Sequence, residues 1–188
     1  AEVLAKMLYP HSNLSLQQLI QIVKTMAEEK RVSLVEGYMG DRQTRRDKPG
    51  RALEHAYYTF DLLADFGIYR DLQRHRILTQ ERQLLTTEHG YDTPTELVDA
   101  GFRNELDDCM QQAKEAYEEI SHEFPFEAQY VVPFSYNIRW YVKLNLREAF
   151  HLIELRSTAQ GHPNYRKLVQ EMFRQIEEVH PALAKYMK

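Results

Sequence analysis

Cysteine is almost absent from this chain, and that scarcity excludes several kinds of protein at once. Cys109 stands alone in 188 residues, so neither an intrachain disulfide nor a cysteine-based zinc site can form, and a reducing compartment is expected. No apolar run is long enough to span a membrane and no signal peptide is visible, which points to a cytoplasmic protein without a membrane partner. Positive charge is not in excess either. With 24 basic residues against 28 acidic ones the formal net charge is -4, which argues against a general nucleic-acid surface. The histidines are scattered without HExxH or a comparable spacing, so no metal site is expected. His11, His162 and His180 each adjoin a proline, a pattern that more often marks a helix or turn boundary than a ligand. Internal repeats and low-complexity tracts are lacking. Ala1 stands where an initiator methionine would, which reads as a processed chain or a fragment of a longer one.

What is present is helical periodicity over a hydrophobic content of 43%, enough for one compact domain spanning residues 1–188. Leu16, Leu19, Ile20, Val23 and Ala27 recur at helix spacing, predicting a helix capped by Asn13 or Ser15 that runs out near Lys30. GYMGDRQTRRDKPG, residues 37–50, has loop composition, and a short helix through Glu54 and His55 follows it. Tyr57 to Leu63 is aromatic and β-branched, hence a strand, and FGIYRDLQ after it reads as helix. From Thr95 to about Glu123 an apolar stripe through Leu97, Val98, Phe102, Leu106, Met110, Ala113, Tyr117 and Ile120 predicts one long helix, with Thr93 or Thr95 as its cap and Cys109 as a small packing residue beside the stripe. NIRWYVKL alternates as a second strand. Asn145 opens a helix with Leu146, Ala149, Phe150 and Ile153 inward, and a last helix from near Pro163 buries Tyr165, Leu168, Val169, Met172, Phe173, Ile176 and Val179. The fold class is α+β, mostly helical, with a small antiparallel or mixed sheet.

Two constellations carry chemistry. Arg74, His75 and Arg76 are consecutive, with Arg70 and Arg82 nearby; like charges at that density repel, so an anion is expected among them unless they simply lie in water. On the helix after Asn145, the spacings of Arg147, His151 and Glu154 place them on one polar stripe, while Arg156 falls about half a turn out of phase and points elsewhere. A solvated face is the commoner meaning of such a stripe.

These residues resemble the flavin-dependent thymidylate synthases. RHR, with a strand-like TF and an EH pair upstream and NLR-EAFH-LIELR far downstream, carries the likeness from about Leu53 to the C-terminus, most strongly at 54–76 and 140–160. The resemblance implies a homotetramer with flavin sites between subunits, in which dUMP is reductively methylated to dTMP. Methylenetetrahydrofolate gives the carbon, and FAD passes on hydride obtained from NADPH. It implies FAD-binding roles for His55, Arg74, His75, Arg76, Asn145, Arg147 and His151, and a catalytic role for Arg156 facing the nucleotide base.

The departures fall on the nucleotide. Where the family holds the dUMP phosphate with a serine and an arginine, this chain has Leu84 and Thr86; Asp71 replaces a glutamine, and an Asn-Glu pair reads Glu81-Arg82. Leucine cannot hydrogen-bond a phosphate, and a carboxylate repels it. Glu81 and Arg82, or the arginines of the 42–46 loop, are the remaining candidates to grip the substrate. GHPNYR, residues 161–166, is inserted ahead of the last helix. The expectation is a thymidylate-synthase-like domain that binds FAD and has an altered dUMP pocket, functioning alone or paired with a second copy of the fold. The alternative is a non-enzymatic scaffold or subunit-interaction domain, with the arginines paired to acidic residues such as Asp107, Asp108, Glu118 and Glu119.

Overall fold

The computed structural model describes residues 1–188, which form two compact units: 1–59 with 143–188, and 60–142. Helices dominate, and one small sheet accompanies them, as the α+β reading requires.

In the first unit, α1 (Glu2–Leu8) packs on α2 (Leu16–Thr25) around Ala5, Leu19 and Val23. Ser15 starts α2 through a reciprocal capping box: its hydroxyl accepts from the Gln18 N–H, and the Gln18 side chain accepts from the Ser15 N–H at 2.9 Å. The helix ends at Thr25, earlier than its apolar spacing predicts, because Met26 and Ala27 are extended and a separate helix α3 (Glu28–Met39) begins. Gly37 therefore lies in α3, and the loop starts only at Gly40. A 3-10 turn covers Arg51–His55. Helix α7 (Leu146–Arg156) packs on that turn and on α8 (Pro163–Val179), and α9 (Pro181–Ala184) closes the chain. Val169, Met172 and Ile176 are buried as their spacing requires, but Val179, expected inward, is exposed because the helix is ending there.

Three strands, β1 (Tyr57–Asp65), β2 (Leu78–Arg82) and β3 (Asn137–Asn145), form a sheet in the order β1-β3-β2. The pairing is antiparallel. Bonds from Phe66 N–H to Tyr136 O and from Leu146 N–H to Ala56 O flank the β1–β3 pairing with a constant residue sum, as antiparallel register demands. Alternate residues point inward: Phe60 and Leu62 from β1, and Ile138, Trp140, Val142 and Leu144 from β3.

The second unit also holds α4 (Phe66–Leu72), α5 (Thr95–Asp99) and α6 (Arg103–Ser121). The long periodic run is thus two helices. Gly101 sits at φ +81°, a left-handed conformation that ends one helix before the next begins. Neither α5 nor α6 has a side-chain cap, and only Met110 of the expected stripe is fully buried; Val98 and Phe102 are exposed. Cys109, expected to pack, is exposed as well.

Candidate functional site

The structure distributes the expected site residues over both units. His55, Asn145, Arg147, His151 and Arg156 belong to the first, and Arg74, His75, Arg76, Glu81 and Arg82 to the second.

In the second unit, Asp65 caps α4 by accepting from Ile68 N–H at 2.8 Å, and the helix stops at Leu72. His75 N–H then donates to Leu72 O at 3.1 Å, closing a turn that carries the RHR cluster. The turn resolves the clustering of charge: His75 is 7% exposed, while Arg74 and Arg76 on either side of it reach solvent. Arg82 is tied down locally. Its Nη1 donates to Gln83 O at 2.9 Å and to Gln129 Oε1 at 3.1 Å, and the same Gln129 oxygen accepts from Leu85 N–H at 3.0 Å. Glu81 faces Tyr141, whose phenol is pushed above its ordinary range first by burial and then by the Glu81 carboxylate. Leu84 is exposed. Asp107 accepts from the Tyr91 hydroxyl at 2.8 Å and pairs with Arg103, and Glu118 pairs with Lys114, so these two acidic residues have partners within their own unit.

In the first unit, His55 ends the 3-10 turn and lines a cavity of about 630 Å³ with Lys6, Tyr9, Tyr38, Arg51 and Glu54. Arg147 braces the same turn: its Nη1 donates to Glu54 Oε1 at 2.8 Å and its Nε to Pro49 O at 2.9 Å. Arg51 first, and then Arg147, hold the Glu54 carboxyl below its ordinary range. Arg147 and His55, expected from distant parts of the sequence, are therefore linked through Glu54, the residue next to His55. Asn145 caps α7, its Oδ1 accepting from Glu148 N–H at 2.8 Å. His151 is on the exposed side of that helix.

The expected polar stripe of Arg147, His151 and Glu154 is corrected here. Glu154 is buried rather than solvated, because Arg42 reaches it from the loop after α3, Nη1 to Oε1 at 2.8 Å and Nη2 to Oε2 at 2.9 Å. That engagement also removes Arg42 from the candidate phosphate-gripping arginines; Arg45 and Arg46 of the same loop remain exposed. Arg156 is the last residue of α7, and its guanidinium lies 5.5 Å from the Tyr165 ring centroid.

Sequence reasoning missed Lys6, Tyr9 and Tyr38, which line the cavity from α1, the turn after it and α3. Their position depends on helix packing and no motif marks them.

Residues 1–182 match the family described as thymidylate synthase complementing protein. The chain belongs to that family. Its relatives include a UPF0159 protein of Chlamydia pneumoniae, 47% identical over 187 residues, and one of Chlamydia muridarum, 44% identical over 187. A UPF0159 protein of Thermoplasma acidophilum is 35% identical over 189 residues. Each alignment takes in 100% of this chain but only 35% of either chlamydial protein and 38% of the archaeal one. This thymidylate synthase complementing protein domain therefore spans little more than a third of the curated relatives it matches. No helix in it is long and apolar enough to cross a membrane.

Proposed function

We propose that this chain is a flavin-dependent thymidylate synthase-like domain that binds FAD and serves reductive methylation of dUMP to dTMP with an altered phosphate pocket. The observation that carries the reading is the family match over residues 1–182, which includes the EH, RHR and NLR-EAFH-LIELR segments together.

The residues fit the group. A cavity of about 630 Å³ lies within the range of ligand pockets, roughly 300–1,000 Å³. Its tyrosines and His55 suit a planar ring, and Lys6 and Arg51 suit an anionic one. His55, Arg74, His75, Arg76, Asn145, Arg147 and His151 would hold FAD, the arginines donating to pyrophosphate or ring carbonyl oxygens. When bound, FAD supplies the hydride that it obtains from NADPH.

The residues of the chain do the rest. Arg147, fixed by Glu54 and Pro49, is a cation whose position is set before any ligand arrives, so little ordering entropy is lost on binding. Arg156 is the fixed cation for charge that develops on the pyrimidine during methyl transfer. Phosphate binding is where this domain differs: Leu84 offers no hydrogen bond, Asp71 is acidic, and Arg82 is engaged with Gln129. Those three residues favour a second reading, a scaffold of the same fold that pairs with another copy. Homotetramer assembly and a cytoplasmic location belong to the first proposal.

The test is the visible absorption spectrum of the purified protein after addition of FAD and desalting, followed by assay with dUMP, methylenetetrahydrofolate and NADPH. A retained flavin band that is lost in His75→Ala and Arg147→Ala, with dTMP formed by the parent protein, is the expected result. A well-folded oligomer that retains no flavin overturns the proposal and leaves the scaffold.

A further inference from the structure

We infer that Tyr38 is a positioning residue, which from the end of α3 locks the 3-10 turn carrying Arg51 and His55 into its ligand-binding position, and that Gly50 is what admits it. The inference rests on the reading of the cavity beside that turn as the FAD site. The turn needs an outside partner, because its N-cap is Gly50, which has no side chain to accept from the first free N–H groups. Tyr38, in the last turn of α3, supplies the acceptor: its hydroxyl oxygen takes the Ala52 N–H at 2.8 Å. Arg147 grips the same stretch from α7, Nε to Pro49 O at 2.9 Å and Nη1 to Glu54 Oε1 at 2.8 Å, and Leu146 N–H bonds to Ala56 O at 2.8 Å where the turn ends. The Tyr38 bond falls between these holds. Tyr38, Arg51, Ala52, Glu54 and His55 all line the cavity of about 630 Å³, so a shift of the turn at Ala52 moves the groups that meet the ligand.

Gly50 is required by space and not by conformation. Its φ of -68° and ψ of 162° are open to any residue. A Cβ there, however, would overlap Oη and Cζ of Tyr38 and lie 2.8 Å from its Cε1. Any side chain at position 50 therefore drives the phenol away from Ala52. Tyr38 and Gly50 both belong to GYMGDRQTRRDKPG, whose loop composition carries no sign that its second residue closes on its last. With the turn fixed before FAD arrives, less ordering entropy is lost on binding.

The experiment compares the parent protein with Tyr38→Phe, Tyr38→Leu, Gly50→Ala and the double variant Tyr38→Leu with Gly50→Ala. Tyr38→Phe removes one oxygen and keeps the ring, so it tests the hydrogen bond with the least disturbance to folding. The first readout is NMR of the FAD-free protein, following the Ala52 amide and the His55 imidazole, with His162 at the start of α8 as the internal reference. Both Ala52 and His55 signals should move in Tyr38→Phe and in Gly50→Ala, and His162 should not. The second readout is FAD affinity by calorimetry. Tyr38→Phe is expected to bind about 2- to 13-fold more weakly than the parent, the span that one net hydrogen bond supports. Gly50→Ala should lose at least as much, yet cost nothing further once Tyr38→Leu has removed the ring. Unchanged FAD affinity in Tyr38→Phe with a lowered thermal midpoint overturns the inference: Tyr38 would then be a structural cap alone, and the cofactor reading would stand. Weaker binding with His55 unmoved in the FAD-free protein overturns it too, because the hydroxyl would then touch the ligand directly. Additive losses in the double variant overturn the role of Gly50. A parent protein that binds no FAD removes the cofactor reading and the inference with it, and that outcome is read from the parent alone.

Discussion

Arg42 and Glu154, 112 residues apart in sequence, form a two-pronged ion pair with both side chains almost wholly buried. Arg42 also donates to Asp47 O and Tyr186 O and lies 5.0 Å over the Phe150 ring, and Glu154 accepts from Lys188 N–H at 2.9 Å. The pair thereby fastens the loop after α3 and residues 186–188 to α7. Removing one partner leaves a buried charge uncompensated. Glu154→Ala should cost about 3–5 kcal/mol of stability, read as the urea midpoint. Arg42→Ala with Glu154→Ala should cost less than the sum of the single changes, and strict additivity in that cycle would refute the pairing.

Asn145 has a structural duty that separates it from any cofactor role. Asn145→Ala deletes the cap on Glu148 N–H and should cost about 1 kcal/mol, whereas Asn145→Asp preserves an equally good cap and should leave stability nearly unchanged. Flavin retention in Asn145→Asp then reports on the cofactor alone. A loss of retention at unchanged stability would mark the amide N–H₂ as a cofactor donor.

Gly101, at φ +81°, separates α5 from α6. Gly101→Ala forces a Cβ into the left-handed region and should destabilise the protein by about 1–2 kcal/mol. A gain in stability, with higher helicity by circular dichroism, would instead mean that the two segments join as one continuous helix in solution.

Cys109 is exposed on α6. One equivalent of thiol should therefore react with a disulfide reagent in the native state, at a rate that a denaturant raises little. Protection until unfolding would restore the packing role that its place beside the apolar stripe suggested.

The Glu54 carboxyl, held below its ordinary 4.5 by Arg51 and then Arg147, links this turn to pH. Its folded pKa is depressed, so the unfolded state takes up a proton more readily. The stabilisation is fully present above the ordinary glutamate value and is lost as pH falls through the folded pKa. Urea midpoints measured from about pH 7 down to about pH 3 should fall less steeply in Glu54→Gln than in the parent protein. Parallel curves would show that the Arg51 and Arg147 contacts contribute nothing to stability.

The sequence by itself determined the elements whose signal is local. Tyr57 to Leu63 is aromatic and β-branched, NIRWYVKL alternates with period two, and both are strands; Leu146, Ala149, Phe150 and Ile153 recur at helix spacing behind an Asn cap and are the inner face of α7. Motif residues were legible too, because their types and order survive without knowledge of the fold. Some local signals misled: the apolar stripe runs unbroken through Gly101, so periodicity alone could not register a backbone turn there. Strand β2 escaped notice because LTQER is polar and is held mainly by its pairing with β3. Only tertiary structure decided where Glu154 points, since its helix phase is fixed by neighbours but its burial is fixed by Arg42, brought from 112 residues away. Likewise it took the turn between α7 and α8 to place Tyr165 beside Arg156. A side chain's type and phase are properties of the chain, whereas its electrostatic partner depends on which distant segments the packed core brings beside it.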